Sequence, residues 1–247
     1  MIHATIIAHF NAPMIVREDT DMSDARNLID TAIESAGSSL GVSGDWLTAV
    51  ERVEAVAHVR DARTNELDQR RREAISPNAV SDRHDAGDHL VAAAVEVVHR
   101  IASDPGRLTK AWAVEMIEAL GEEFYTELVG IAATTAALDM FAWATHGGDA
   151  DIALEPVATG TDKPAQVRPD GVADVGAWVS QSESTTMANV SRSLSLVPVT
   201  NAAWVDLVQA LYSRGPEFLD LAWERALSRP QVELVAARTT AELECFY

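Results

Sequence analysis

The single cysteine of the chain, Cys245, lies two residues from the end of the sequence, and Glu233 lies twelve residues before it. A thiol and a carboxylate can do redox chemistry together, because a carboxylate that accepts or relays a proton helps to form the reactive thiolate. In one continuous helix the two residues would be about 18 Å apart, at ~1.5 Å per residue. They can act together only if the chain reverses its direction between them.

The residues between the two offer a place for this reversal. The pair Thr239-Thr240 is β-branched and able to cap a new helix, and Glu242 stands at capping-box spacing from Thr239. Cys245 would then lie in the first turn of the next helix, where free N–H groups and the helix dipole favour a thiolate. The alternative is a structural role, with Glu233 buried and paired with Arg238 and with a cysteine that has no function.

The composition bounds the class of protein. The chain has 247 residues, of which 47% are hydrophobic and 23% charged, and this is typical of a globular protein. The formal charge of −19 repels phosphate backbones and anionic lipid surfaces, so we expect no nucleic-acid or membrane partner. One cysteine cannot form an internal disulfide, which favours a reducing, cytoplasmic location. No residue pattern calls for a cofactor or a metal ion in this interpretation.

Apolar periodicity predicts an all-α fold with no strand. Residues 1–22 are predicted to be an irregular leader, because they lack a basic start and are too interrupted by polar residues to span a bilayer. Helices are predicted from Ser23 to Gly37, from Trp46 with Asp45 as its cap, and over Leu90–Ile101, Leu108–Leu120, Phe124–Thr145, Ala188–Leu196, Asn201–Tyr212 and Leu219–Leu227, followed by a last helix with Pro230 in its first turn.

The predicted elements group into two helical lobes. The first covers residues 23–148 and the second 177–247, and residues 149–176 form a linker or wrapped loop rich in proline and glycine. The helix Phe124–Thr145 is apolar on nearly all sides, so we expect it to be a buried central helix. The three arginines at 70–72 are interpreted as a solvated helix face.

A faint internal repeat connects the two lobes. The residues Arg52-Val-Glu-Ala-Val-Ala57 resemble Gln231-Val-Glu-Leu-Val-Ala236, and this match places Glu54 opposite Glu233. Glu66 then stands opposite Cys245, so the first copy carries no thiol. The sequence therefore suggests a duplication in which only the C-terminal copy has redox chemistry.

Three segments together resemble the alkylhydroperoxidase D-like, carboxymuconolactone decarboxylase superfamily: ELVGIAATTAALDMF, ANVSRSLSLVP, and above all LSRPQVELVAAR followed by ECFY. The redox members of this all-α family carry the motif Glu-x11-Cys-x2-Cys-x3-His, and Glu233 and Cys245 match its first two elements. The second cysteine and the histidine would fall beyond Tyr247. The resemblance covers roughly Trp46 to Tyr247 in a two-copy arrangement.

The resemblance implies thiol peroxidase or disulfide-reductase chemistry in a homo-oligomer that uses a hydroperoxide and a thiol reductant. In such a site the second redox residue attacks the peroxide and becomes a sulfenic acid. Cys245 would resolve that acid as a disulfide, while Glu233 and the histidine shuttle protons. Without the attacking residue, we expect negligible turnover of hydroperoxides.

The sequence is compatible with three other functions. His58, His84-Asp85 and Asp139 occur in the order of an HD-type metal phosphohydrolase, with His84 and Asp88 on one face if that stretch is helical. The chain could instead be a non-catalytic helical family member that acts by oligomerisation or binding. The non-redox branch of the family, lactone decarboxylation, needs an acid–base residue that the sequence does not identify. His99 and His146 are interpreted as residues that satisfy helix ends.

The position of Tyr247 leads to a prediction about the gene. The resemblance implies that selenocysteine, encoded by UGA, can occupy one of the two redox positions, and a selenol ionises more readily than a thiol. We expect a UGA codon directly after the Tyr247 codon and a histidine codon four codons beyond it. Sequencing the DNA downstream checks this. A UAA or UAG codon at that position, or a UGA codon without the histidine, would favour the non-catalytic interpretation.

Overall fold

A computed structural model of the protein describes residues 19–146, 155–184, 187, 189–212 and 226–242. This part of the chain is mostly helical, which confirms the predicted all-α class. Its helices are α1 (Asp19–Leu40), α2 (Ala49–Asp61), α3 (Glu66–Glu73), α4 (Ala92–Ser103), α5 (Lys110–Leu120), α6 (Glu122–His146), α7 (Asn189–Arg192), α8 (Pro198–Leu211) and α9 (Arg229–Glu242). Short 3-10 turns lie at Pro77–Ala79 and Pro105–Arg107. The prediction of no strand was wrong, because the described residues contain one short antiparallel pair, β1 (Val172–Ala173) and β2 (Gln181–Ser182), with Val172 opposite Ser182.

Helix α6 is the centre of the hydrophobic core. It packs against α1, α2, α4, α5 and α8, and Leu128, Ile131 and Leu138 are buried on it. Neighbouring helices cover several sides of α6, and this explains why its apolar residues extend around nearly the whole helix. Among the described residues it is the one helix with the length and apolarity to cross a membrane, and 44% of its apolar window is buried inside the protein. This agrees with the predicted role of a central core helix.

The first helix is longer than predicted at both ends. It begins at Asp19, so the predicted leader is wrong for residues 19–22, while residues 1–18 lie outside the described part. It also continues through Gly37 to Leu40, because Ala36 and Leu40 are buried in the core. Burial of a leucine side chain contributes about 1.5–3 kcal/mol. This exceeds the helix penalty of one glycine, about 1 kcal/mol.

Asp45 caps a helix, but not the predicted one. Its two carboxylate oxygens each accept a hydrogen bond, at 3.1 Å, from the backbone N–H groups of Val199 and Thr200 in the first turn of α8. Helix α2 begins later than predicted, at Ala49, and Glu51 accepts a hydrogen bond from the backbone N–H of Thr48 at 2.7 Å. The prediction was wrong because the Asp45 carboxylate accepts hydrogen bonds from a helix that begins about 154 residues further along the chain.

The predicted linker is a wrapped loop where it is described. The backbone N–H of Thr159 donates to the carbonyl of Gly41 at 2.7 Å, and that of Gln166 donates to the carbonyl of Asp45 at 3.0 Å. The described part of this segment therefore runs along the connection between α1 and α2. Helix α8 also packs on α1 and α6, and its Leu207 belongs to the main core. The predicted helix Leu219–Leu227 falls mainly outside the described residues.

A buried ion pair holds these elements together. The guanidinium of Arg52 on α2 contacts the carboxylate of Glu127 on α6, and both side chains are almost fully buried. Glu127 also accepts backbone hydrogen bonds from Trp46 at 2.6 Å and Leu47 at 3.1 Å, and Arg52 donates to Thr200 on α8 at 3.0 Å. Burial raises the pKa of Glu127, and Arg52 and the Trp46 amide act against that shift.

This ion pair gives a stability prediction. Arg52→Met leaves the carboxylate of Glu127 buried without its cation, so we expect the free energy of unfolding to fall by about 3–5 kcal/mol. Urea unfolding followed by circular dichroism measures the change. The double variant Arg52→Met, Glu127→Met should recover most of the loss, because no charge is then left buried.

A matched control is the exposed pair Arg70–Asp82, with an N···O distance of 2.7 Å. Arg70→Met should change the free energy of unfolding by about 1 kcal/mol or less. An equal effect of the two arginine substitutions would contradict the structural role of the buried pair.

Candidate functional site

Two helices and one irregular segment bring three histidines together. His58 comes from the last turn of α2, His99 from the middle of α4, and His84 from the segment between α3 and α4. Asp68 lies beside them on α3. This helix begins directly after the turn that follows α2, and its N-cap residue Asn65 accepts a hydrogen bond from the backbone N–H of Leu67 at 3.1 Å. We call His58, Asp68, His84, Glu96 and His99 the histidine cluster.

Asp68 and His99 form the buried centre of this cluster. Asp68 Oδ2 lies 2.6 Å from His99 Nδ1, and both side chains are essentially inaccessible to solvent. An ionised carboxylate only accepts hydrogen bonds, so the proton between them belongs to His99 Nδ1, and Nε2 of neutral His99 carries a lone pair. The other carboxylate oxygen accepts a hydrogen bond from the Ser103 hydroxyl at 3.3 Å. Burial acts to raise the pKa of Asp68, but the neighbouring imidazoles of His84 and His99 lower it well below its usual range.

His84 lies between two carboxylates. Its Nδ1 is 2.9 Å from Glu96, and its Nε2 is 3.4 Å from Asp68 Oδ2 without a hydrogen bond of normal geometry. Its ring stacks on that of His99, with centroids 3.8 Å apart and an angle of 24° between the planes. Burial acts to lower the pKa of His84, and the two carboxylates outweigh it and raise the pKa to about 8. His84 is therefore largely an imidazolium at neutral pH.

Arg71 places a buried positive charge beside the two carboxylates of the cluster. Its guanidinium lies 2.9 Å from Glu96 and 3.9 Å from Asp68, and the side chain is 2% exposed. The prediction of a solvated face for the three arginines is therefore wrong for Arg71, although Arg70 and Arg72 are exposed. The reason is that two buried carboxylates need cations, and Arg71 lies three residues after Asp68 on the same face of α3.

The outer end of the cluster reaches the surface at His58. Its Nδ1 is 3.1 Å from His99 Nε2, and its Nε2 is 3.7 Å from a carboxylate oxygen of Glu54. Asp61, at the end of α2, has a carboxylate oxygen 3.9 Å from His99 Nε2. The His58 side chain is 24% exposed. Burial and the neighbouring His99 lower the pKa of His58, against the raising effects of Glu54 and Asp61.

The segment between α3 and α4 is fastened over this outer end. Glu54 accepts hydrogen bonds from the backbone N–H groups of Asp88 and His89, each at 2.7 Å. Gly87 passes so close that a Cβ atom there would collide with the Glu54 carboxylate and lie 3.2 Å from His58 Nε2. Only glycine lets the backbone approach the site in this way.

Asp68, His84 and His99 are close enough to be considered as ligands of one metal ion, with donor atoms within 4.8 Å of each other. Their geometry does not fit. Donor atoms at ~2.0–2.2 Å from one ion are at least about 3 Å apart, whereas Asp68 and His99 approach to 2.6 Å. Imidazole binds a metal in its ring plane, and the planes of the stacked His84 and His99 rings do not meet at a shared ion. We therefore interpret these three residues as a hydrogen-bonded charge network.

Of the two predicted redox residues, the structure describes Glu233 alone, and this residue is not part of the histidine cluster. Glu233 is on α9, its side chain is 44% exposed, and it contacts Arg229 at 3.0 Å, whereas Arg238 pairs with Glu242. The predicted pairing of Glu233 with Arg238 is therefore wrong. Cys245 lies outside the described residues.

The predicted reversal at Thr239-Thr240 is also wrong. Helix α9 runs through both residues to Glu242, and their hydroxyls donate to the carbonyls of Val235 at 2.9 Å and Ala237 at 3.0 Å. A threonine hydroxyl can bond back within its own helix as readily as it can cap a new one. Any reversal before Cys245 must come after Glu242.

The residues of the HD-type alternative do not form one site. Asp139 lies against Arg60 and Arg63, and Asp85 is exposed. The stretch that contains His84 and Asp88 has no helix, so the predicted i, i+4 pair does not exist. Of this set, His58 and His84 alone belong to the histidine cluster.

The sequence contains a signal for the histidine cluster that the spacing of apolar residues does not reveal. Glu96, His99 and Arg100 follow each other at helical spacing within the otherwise apolar helix α4, and all three are buried. Polar residues on the buried face of a helix need partners, so their spacing alone indicates an internal polar site. The interpretation of His99 as a helix-end residue was wrong for this reason.

Comparisons with family models, curated proteins and solved structures found no match. The function must therefore be argued from the residues and their geometry.

The Asp68–His99 hydrogen bond can be tested directly. In the folded protein, His99 should be the tautomer with its proton on Nδ1, and long-range ¹⁵N–¹H NMR spectra distinguish the two ring nitrogens. Asp68→Ala removes the hydrogen-bond acceptor of His99. It also leaves the positive charges of Arg71 and His84 with one carboxylate fewer to balance them. We expect a loss of about 3–5 kcal/mol in the free energy of unfolding and a change in the His99 tautomer.

Asp82→Ala is the control, because this exposed carboxylate pairs with Arg70 on the surface of the same region. A His99 ring with its proton on Nε2 in the native protein would contradict the assigned hydrogen bond.

Proposed function

We propose that the protein is an alkylhydroperoxidase D-like oxidoreductase whose redox centre includes Glu233 and Cys245. Its reaction would be thiol or selenol peroxidase chemistry, or disulfide reduction, with a small hydroperoxide and a thiol reductant as partners in a homo-oligomer. The proposal includes a duplicated architecture, in which Glu54 is the counterpart of Glu233. The described residues support it through the local geometry around Glu54.

The connection between α2 and α3 is the observation that carries the proposal. After Glu54, α2 continues to Asp61, the chain turns, and Asn65 caps α3. Glu66, twelve residues after Glu54, is therefore the first residue of the next helix. This is the reversal that the Glu-x11-Cys spacing requires, whereas α9 continues without a break from Arg229 to Glu242 and shows no such reversal among the described residues of the C-terminal copy. A cysteine at the equivalent position gains the N–H groups and the helix dipole that stabilise a thiolate.

The surroundings of Glu54 also suit proton transfer. Its carboxylate lies 3.7 Å from His58 Nε2, and His58 follows it at i, i+4 on the same helix. A glutamate at this position can therefore exchange protons with a neighbouring base. In the C-terminal copy, Glu233 would exchange a proton with the thiol of Cys245, in the way that Glu54 can with the imidazole of His58.

The proposed cycle needs three groups at the redox centre. A second redox residue, a thiol or a selenol, would attack the hydroperoxide, release an alcohol and become a sulfenic or selenenic acid. Cys245 displaces water from this acid and forms a disulfide or selenenylsulfide, and two equivalents of thiol reductant then restore the reduced pair. Glu233 takes the proton from the attacking or resolving group.

Substitution of Glu233 tests the proposal on the chain as it is. If Glu233 and Cys245 share a site, Glu233→Gln should slow the reaction of Cys245 with iodoacetamide by about tenfold or more, because the proton acceptor is lost. The rate is measured as a function of pH, so that a change in apparent thiol pKa is separated from a change in accessibility.

Glu242→Gln is the matched control, since Glu242 is on the same helix and pairs with an arginine at the same i, i+4 spacing. It should leave the rate within about twofold. Unchanged kinetics in Glu233→Gln, or equal slowing in both variants, would contradict a shared site and favour a structural role for Glu233.

A further inference from the structure

We propose that His58, His99 and Asp61 form a binding site for a first-row divalent transition-metal ion such as Zn²⁺ at the outer end of the histidine cluster. The site lies in the N-terminal half, apart from the redox centre proposed above, and uses a different set of ligands from the Asp68–His84–His99 network. Its ligand atoms are His58 Nδ1, His99 Nε2 and a carboxylate oxygen of Asp61.

The two imidazole nitrogens have the separation that one ion requires. His58 Nδ1 and His99 Nε2 are 3.1 Å apart. Two nitrogens that are each ~2.0–2.1 Å from an ion and 3.1 Å from each other subtend roughly 100° at the ion, which suits tetrahedral or octahedral coordination. The rings are tilted by 58° with centroids 5.2 Å apart, so their planes can meet at a shared ion. This is the geometry that the stacked pair His84–His99 lacks.

Each ligating histidine also has a carboxylate at its second nitrogen. Asp68 lies 2.6 Å from His99 Nδ1, and Glu54 lies 3.7 Å from His58 Nε2. Metal-binding histidines commonly donate their other N–H group to a carboxylate, which fixes the tautomer and makes the coordinating nitrogen more basic. His99 therefore already has the outer partner of a metal ligand, and Glu54 lies near the corresponding nitrogen of His58.

Asp61 would supply the oxygen ligand, and it lies on the side of the site that is open to solvent. Its carboxylate oxygen is 3.9 Å from His99 Nε2, and its side chain is 55% exposed. It follows His58 by three residues on α2, and its exposed side chain would have to turn towards His58 to complete the site. With the partly exposed His58, this leaves a path for an ion from solvent and a coordination position for water.

The charges around the site attract a cation. Glu54 and Asp61 lie at this end of the cluster, the backbone of Asp88 is bonded to Glu54, and the whole chain carries a formal charge of −19. Two imidazoles and one carboxylate are ligands that suit Zn²⁺ and its neighbours in the first transition row, whereas Ca²⁺ and Mg²⁺ prefer oxygen alone. The surrounding residues therefore favour a transition metal over the alkaline-earth ions.

The test is titration of metal-free protein, without a purification tag, with Zn²⁺ in a calorimeter and with Co²⁺ followed by visible absorption. We expect one high-affinity equivalent per chain. On addition of Zn²⁺, ¹⁵N NMR should show coordination shifts at His58 Nδ1 and His99 Nε2 and none at either nitrogen of His84. The spectra identify the ligands in the unaltered protein, so this part of the test does not depend on a variant that folds.

Variants give a second, independent measure. His58→Ala should weaken Zn²⁺ binding at least a hundredfold, Asp61→Asn at least tenfold, and Glu54→Gln about tenfold through the loss of the outer carboxylate. His89→Ala is the matched control, because this exposed histidine lies in the adjacent segment and should bind Zn²⁺ as the native chain does. Cys245→Ser should also leave the affinity unchanged, which separates this site from the redox centre.

The proposal is overturned if no stoichiometric binding occurs, if His58→Ala retains native affinity, or if the coordination shifts fall on His84. Loss of binding in Cys245→Ser would overturn it too, by assigning the ion to the C-terminal thiol. Because every readout is metal binding by the chain itself, none of these results depends on whether the proposed peroxidase activity exists.

Discussion

The structure depends on the compensation of charge inside a helical core. Glu127, Asp68 and Glu96 are all buried, and an ionised carboxylate in a medium of low dielectric constant costs several kcal/mol, by order of magnitude, unless a cation or donor faces it. Arg52 neutralises the first, and Arg71 and His84 neutralise the other two. Helices α2, α3, α4 and α6 can therefore pack only in the arrangement that brings these partners together. The apolar residues provide the driving force, and the buried charges select the arrangement.

Much of the helical fold could be predicted from the spacing of apolar residues. The central helix α6 was predicted within two residues at its start and one at its end, because its long apolar sequence ends at a pair of glycines. The histidine cluster could not be predicted in the same way. Asp68 lies in a short helix of charged residues, whose composition is typical of an exposed helix, and its partner His99 is 31 residues away in sequence. Periodicity shows which face of a helix is buried, but it does not show which element lies opposite.

The same limit explains the errors at Asp45 and Thr239-Thr240. Both sites have residue types that cap helices, and capping was assigned to the nearest helix in sequence. Asp45 instead caps α8, from far along the chain, and the threonines lie inside α9. Local residue preferences identify a polar group that needs a partner, whereas tertiary packing decides which partner it receives.

The segment between α3 and α4 owes its conformation to side chains. Between Val80 and Val91 it has no helix or strand, and it is held by Glu54, by Glu96 and by the Arg71 guanidinium, which donates to the carbonyl of Asp82 at 2.5 Å. A loop fixed in this way behaves differently from one fixed by backbone ladders. An inserted or deleted residue would put Gly87 and both Glu54-bound amides out of register, so this loop should tolerate length changes poorly although it lies at the surface. Hydrogen exchange at Asp88 and His89 would likewise report on the position of the Glu54 side chain, which makes these two amides natural probes of the site beneath them.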